Sequence, residues 1–448
     1  MEQLDSTVLA TSLPAMAHDL HEDPIALKLA LTAYLLSLAV FIPMSGWAAD
    51  KYGARRVFRA AIMVFTLGSI LCGFSSSLAT IVAARIVQGL GGALMVPVGR
   101  LVVLRTAPRH ELVQAMAWLA IPALVGPVIG PPFGGFLATY AHWRYIFWIN
   151  FPIGLLGVVL ATRFIPDLSE AHARPLDRRG AMLSGIGLCG LVFGFTIGGR
   201  GLVAAPLVAL ITSIGAIALV AYVRHARQTP HPILDLRLLR IPTFRAAIVG
   251  GFLFRVGLGA SPFLLPLLLQ EGFHLTPLQS GLLTFAGAAG AIAMKTTAQP
   301  IINRFGFRRV LIVNALISAG FLFGYAFFTP TTPHLTILLV ILIGGFFRSL
   351  EFTALNAIAF ANIVPRDMSN ATSFAAVGQQ LALSTGVAIG AAVLESTRSL
   401  HGGGGLVADD FAPAFCIVAA ITALAAIIFR ALPPTAGDEL TNRRTLSV

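Results

Sequence analysis

Charge is scarce in this chain: Asp, Glu, Lys and Arg make up 11% of its 448 residues, less than half the roughly 25% of a soluble globular domain. A water-soluble fold lacks its polar surface. Cysteine is scarce as well. Cys72, Cys189 and Cys416 lie singly in apolar runs, with neither the pairing of a disulfide framework nor the spacing of a metal site. They read as small core residues. No basic segment followed by a short apolar core and a small-residue cleavage site opens the chain, so no removable signal peptide is expected. The P-loop pattern, the GxSxG elbow and zinc-ligand spacings are all missing, which leaves coupling to nucleotide hydrolysis and the common hydrolytic chemistries without residues to perform them. The 10 histidines fall in loops or at the ends of apolar windows, so a membrane histidine relay is not expected.

What fills the chain is hydrophobic sequence, 56% of it. A run of about 20 apolar residues crosses a hydrocarbon core of roughly 30 Å as a helix. Such windows occupy 2–17, 28–48, 57–75, 78–104, 112–138, 149–165, 182–198 and 205–223, and six more begin near 244, 278, 310, 335, 371 and 411, the last ending near Arg430. The expectation is an all-α integral membrane protein of fourteen spans. The first looks truncated, because Asp5 belongs near mid-membrane with only four residues before it; a start further upstream is expected.

A net charge of +12 invites a nucleic-acid reading, but on a membrane protein basic residues record orientation. With the N-terminus in the cytoplasm, most of the 31 Lys and Arg, from Lys51, Arg55 and Arg56 to Arg443 and Arg444, fall on the inward side. Both termini are expected inside. Trp143, Tyr145 and Trp148 cluster between the fifth and sixth spans, where an interfacial aromatic belt is expected.

The string DKYGARRV at 50–57 recurs as NRFGFRRV at 303–310, each following an apolar span. Two homologous halves on the same side imply a parallel repeat about the membrane normal. The expected organisation is a six-helix bundle over 1–181, two inserted central helices over 182–223, a cytoplasmic linker over 224–243, a second six-helix bundle over 244–430 and a flexible cytoplasmic tail over 431–448.

Several residue groups suit a transporter. Gly126, Gly130 and Gly134 share one face of the fifth span at a spacing of four, and Pro127, Pro131 and Pro132 interrupt its ladder; the run serves tight packing or a pliable gate. Asp5 and Arg85 fall within apolar spans, where an unpaired charge costs about 2.5–3.5 kcal/mol on insertion scales, so each needs a partner. Arg348 and Glu351 are three apart and can touch on one helical face, which slightly favours a local pair over a substrate role. Arg255 and Lys295 have no acid nearby in sequence; snorkelling, distant pairing and an anionic substrate remain open. Asn356, Gln379 and Gln380 add polar groups to late spans. HGGGG at 401–405 reads as a flexible loop.

GWAADKYGARR at 46–56 resembles the loop 2/3 signature of the major facilitator superfamily, and RIVQGLGGA at 85–93 its helix 4 signature. VGPVIGPPFGG at 125–135 resembles the helix 5 signature of its antiporters, and LDSTVLATSLP at 4–14 the helix 1 signature of its fourteen-helix drug:proton antiporters. The resemblance covers essentially the whole chain. It implies that Asp5 and Arg85 face a central cavity, Asp5 carrying the coupled proton and Arg85 tuning it, the alternative being a fixed structural pair; Glu2 is a weaker stand-in. It implies that Gly46, Asp50, Gly53, Arg55 and Arg56 form a charge lock with a neighbouring helix end, against the plain alternative of a solvated basic loop. With Asn303 in place of the acid, the second copy should lock more weakly. Gly126, Pro127, Gly130, Pro131, Gly134 and Gly135 become a rocking helix. Gln88, Arg255, Lys295, Arg348, Glu351, Asn356 and Gln379 are the candidates for lining a substrate cavity.

The resulting expectation is a monomeric bacterial inner-membrane exporter, not an enzyme. It exchanges protons for amphipathic drugs without a cofactor or metal. Its partners are small molecules, protons and the lipid bilayer. Export of one endogenous metabolite such as an organic anion is the rival, and a nutrient sensor without turnover is a more distant one.

Overall fold

In a computed structural model of the chain, the described residues are 28–108, 142–166, 175–197, 204–400 and 406–441, with Asp5, Met16, Asp19, Leu20, 111, 112, 114–116, 118, 119 and Gly126. Every regular element among them is helical. Ten of the described helices are long and apolar enough to cross a membrane. The contacts divide the chain into two compact units, one of Met1–Thr106, Val125–Leu236 and Val364–Val377, the other of Ala107–Leu124, Arg237–Ile363 and Gly378–Val448.

In the first unit, α1 (Lys28–Phe41) passes through a 3-10 turn at Ile42–Met44, where Pro43 has no N–H to offer, into α2 (Ser45–Tyr52). Gly53 follows at φ 86 and ψ 134, a conformation almost reserved for glycine. There the chain reverses into α3 (Ala54–Gly73) and then α4 (Leu78–Thr106). After a helical turn at Tyr145–Trp148 come α5 (Asn150–Phe164), α6 (Arg178–Ile197) and α7 (Ala205–Gln228). With no hydrophobic drive between helices in lipid, close approach depends on small side chains. A Cβ on Gly91 of α4 would lie 2.4 Å from the Phe65 nitrogen of α3, one on Gly89 2.6 Å from Ser37 Cβ of α1, and one on Gly190 of α6 2.7 Å from Gly215 Cα of α7. The glycine-rich stretch after Arg85 is thus the surface on which α4 meets two neighbours.

The basic stretch after α7 is folded back. Tyr222 donates to the Leu234 carbonyl at 2.7 Å and accepts from the Leu234 N–H at 2.8 Å. Asp177 meets His225 Nε2 at 2.8 Å, and its carboxylate accepts from the N–H groups of Gly180 and Ile233. The expected aromatic belt divides: Tyr145 is exposed, whereas Trp143 is buried and donates to Asp19 at 3.0 Å.

In the second unit, α8 (Gly251–Leu267) lies between π-helical turns at Ala246–Gly250 and Leu268–Gly272, and Pro262 and Pro266 interrupt its ladder. Then come α9 (Pro277–Phe305), α10 (Phe307–Gly324), α11 (His334–Ile358), α12 (Met368–Leu400), whose first turns as far as Val377 belong to the first unit, and α13 (Phe411–Arg430). Leu264, Leu322, Tyr325, Ile337, Phe411 and Phe415 anchor the apolar core. The sequence repeat is a structural one. Gly306 takes φ 76 and ψ 156, and Val310 donates to its carbonyl at 3.1 Å as Val57 donates to Gly53 at 3.0 Å.

Candidate functional site: a buried carboxylate in each unit

In the first unit the charges expected to need partners have found each other. Asp5 and Arg85 are both buried, with Arg85 Nη1 2.5 Å from Asp5 Oδ2. Gln88, one helical turn beyond Arg85, donates to Asp5 Oδ1 at 2.9 Å and accepts from Arg85 Nη1 at 2.7 Å. Asn150, at the start of α5, donates to Asp5 Oδ1 at 3.3 Å and to Ser69 Oγ at 2.9 Å. Arg85 also reaches the Ala30 carbonyl, and its guanidinium lies 4.3 Å from the Tyr34 ring centroid. Removing one partner from such a pair leaves a buried charge uncompensated, at about 3–5 kcal/mol. Gln88, expected as cavity lining, is part of this cluster, and Asn150 and Tyr34 are members that sequence reasoning missed.

A second cluster surrounds the DKYGARR loop. Asp50 Oδ1 accepts from Arg105 Nη2, at the end of α4, at 2.9 Å, and from the Ser369 hydroxyl in the first turn of α12; Arg105 also donates to Ser369 at 2.9 Å. The Gly46 N–H donates to Ser373 Oγ at 2.9 Å, and the Ser45 and Ser373 hydroxyls are 2.9 Å apart. The acid, an arginine and a helix end do come together, but the arginine bonded to Asp50 is Arg105. Arg55 is half-buried and Arg56 exposed at the start of α3. At the second copy, Asn303 accepts from Gln299 of its own helix at 3.5 Å, and Arg308 donates to the Arg430 carbonyl at the end of α13. Of the rocking-helix residues only Gly126 is described; Pro127, Gly130, Pro131, Gly134 and Gly135 lie outside the described residues.

In the second unit, Lys295 of α9 is buried and donates to Thr353 of α11 at 2.7 Å. Arg255 of α8 is buried, donates to the Ala247 carbonyl at 3.3 Å and lies 5.8 Å from the Phe352 ring. Glu351 of α11 is fully buried and accepts from Asn314 of α10 at 3.0 Å. The local Arg348–Glu351 pair does not form. The Glu351 side chain turns towards α10, while the Arg348 guanidinium lies beside Gly287 of α9. Asn356 is buried on α11 and Gln379 half-buried on α12. No group of three or more His, Cys, Asp or Glu placed to hold a metal occurs among the described residues.

Spanning helices in two repeat-related halves, with ionisable groups buried among them, define a multi-pass membrane transporter. The sequence profile of the Major Facilitator Superfamily matches residues 1–235 and 247–446, and the chain belongs to that superfamily. It is 36% identical over 444 residues to a Salmonella typhi protein that carries the provisional name multidrug resistance protein MdtD, covering 97% of this chain and 92% of that one. A protein of the same name from Escherichia coli O6:H1 is 35% identical over the same coverage. Among solved structures, the human organic anion transporter MFSD10 aligns with a TM-score of 0.67 at 15% identity, over 95% of this chain and 96% of that one. The proton:xylose symporter XylE aligns with a TM-score of 0.67 at 16% identity, over 99% and 95%. The protein is an all-α transporter of the major facilitator fold and MdtD type, not an enzyme. The ten described candidate spans are consistent with a count of fourteen.

Proposed function

We propose that the protein is a proton-coupled exporter of amphipathic drugs or toxic compounds in the bacterial inner membrane, with both termini cytoplasmic, working as a monomer and driven by the proton gradient without a cofactor. The observation that carries this reading is the buried cluster of Asp5, Arg85, Gln88 and Asn150. Asp5 takes a proton from the periplasmic side, which frees Arg85 from its ion pair. On the cytoplasmic side, re-formation of the pair favours the carboxylate and expels the proton. The bundles at 1–181 and 244–430 rock between these states, with the Asp50–Arg105–Ser369 cluster made in one and broken in the other. The drug-resistance name of the MdtD relatives supports the substrate class.

The test uses everted membrane vesicles carrying a fluorescent pH probe, challenged with a panel of cationic drugs and organic acids. Proton release on drug addition is the expected result, and no proton movement with any compound contradicts it. The rival reading, export of an organic anion, draws on Lys295, a buried cation whose hydrogen bond goes to a neutral hydroxyl. Loss of organic-acid transport alone in Lys295→Met and Arg255→Ala would favour that rival.

A further inference from the structure

The second unit holds a carboxyl that this scheme leaves unused. Glu351 Oε2 accepts from Asn314 Nδ2 at 3.0 Å, while Glu351 Oε1, equally buried, has no hydrogen-bond partner among the described residues. The orientation of the Asn314 amide is set independently, because the same nitrogen donates to the Phe347 carbonyl at 2.8 Å; exchanging its oxygen and nitrogen would face two acceptors together. With the amide so fixed, Asn314 Oδ1 is also a buried acceptor without a donor among the described residues. Two contacting side chains thus present more buried acceptors than there are hydrogens to fill them. Buried polar atoms are nearly always satisfied, and the missing hydrogen is the one a carboxylic acid carries.

Among the described residues, the charged groups on the elements packed about this pair are few. From α8, Arg255 is near enough to act on the carboxyl electrostatically, with its Nη1 directed to the Ala247 carbonyl. From α9, Lys295 is directed to Thr353. On α11 itself, Arg348 lies by Gly287. From α10, the group that meets the carboxyl is the neutral Asn314.

We propose that Glu351 carries a proton on Oε1, and that the Glu351–Asn314 pair is a second proton-exchange site of the transporter, in a different bundle from Asp5. The inference rests on the proton-coupled reading for its role in transport, not for the protonation itself. When α10 and α11 part enough to admit water, the Oε1–H bond breaks. The proton leaves as hydronium, the electron pair stays on the carboxylate, and Arg255 is the cation nearby to stabilise it. Re-protonation from the other side closes the pair again.

The proton itself is the probe. In the purified full-length protein at neutral pH, infrared spectroscopy should show a protonated-carboxyl band that shifts in heavy water, is absent in Glu351→Gln and persists in Asp5→Asn. A pH jump to alkaline solution, followed with an indicator dye, should release one proton fewer from Glu351→Gln than from the parent. That variant keeps the shape of the side chain and supplies an N–H for the pair, so its melting temperature should match or exceed the parent's. A band missing from the parent or unchanged in Glu351→Gln overturns the proposal, as does a lowered melting temperature, which would mark Glu351 as an ionised partner of Arg255. No substrate is needed. Loss of the band upholds the site even in a chain that moves no drug, and an unchanged band overturns it even where antiport is measured.

Discussion

Replacing Gly46 by alanine adds one carbon to α2 where the first turns of α12 cross it. That carbon would stand 2.4 Å from the Ser369 carbonyl oxygen, 2.7 Å from Ser373 Oγ and 2.8 Å from the Ser369 carbonyl carbon. Ordinary contact begins at 3.4 Å, and two of the three obstacles are backbone, so the crossing must open by about 1 Å. Overpacking of this kind costs about 1–3 kcal/mol. The opening also strains the Gly46–Ser373 and Ser45–Ser373 hydrogen bonds, both 2.9 Å long, at about 1 kcal/mol each. The overpacking cost of about 1–3 kcal/mol alone is a factor of about 5–150 in an equilibrium, so the population in which α12 has left α2 should rise at least fivefold. Hydrogen exchange read by mass spectrometry on peptides covering 42–52 and 366–374 is the assay. The Gly46 amide, which donates to a side chain outside its own helix, should exchange about 5–150 times faster in Gly46→Ala. Exchange within twofold of the parent would refute the reasoning, because the crossing would then have absorbed a carbon for which the structure has no room.

Gly53→Ala should destabilise the protein by about 1–3 kcal/mol through its backbone conformation, and Gly306→Ala, at nearly the same φ and ψ, should match it in thermal denaturation; a harmless Gly306→Ala would contradict the equivalence of the two turns. Burial alone would raise the Asp19 carboxyl, but the hydrogen bonds from Trp143 and Arg144 and the charges of Arg144 and His142 hold it below its ordinary value of 3.8. The stability that this cluster supplies is therefore present above that value and lost as the pH falls through the lower, folded-state one. Melting temperature should consequently drop more steeply on acidification below about pH 4 in the parent than in Asp19→Asn; parallel curves would show that the cluster contributes nothing.

Much of this could be read from the chain alone, for identifiable reasons. Apolar windows mark the spans because lipid allows no other spanning backbone, and α13 runs from Phe411 to Arg430 as hydropathy placed it. The repeat was visible because Gly53 and Gly306 each occupy a conformation no other residue adopts cheaply. Asp5 and Arg85 announced themselves because isolated charges in apolar spans need partners. What the sequence concealed depends on helix rotation and on neighbours far along the chain. Arg55 and Arg56 stand close to Asp50 in sequence, yet its bonded arginine is Arg105, brought in by the far end of α4. Spacing allowed Glu351 to touch Arg348, but burial against α10 directs it to Asn314 instead. Asn150, Asn314 and Ser369 carry no charge, so nothing in an apolar span distinguishes them from packing residues until their partners are seen.

The central claim, that the buried carboxylate of Asp5 is what ties proton movement to export, is tested most directly by comparing two fluxes in vesicles bearing Asp5→Asn. Exchange of labelled for unlabelled substrate at equilibrium requires no net proton movement, whereas accumulation against a gradient does. The account predicts that the variant keeps exchange and loses gradient-driven accumulation. Accumulation as strong as the parent's would contradict it.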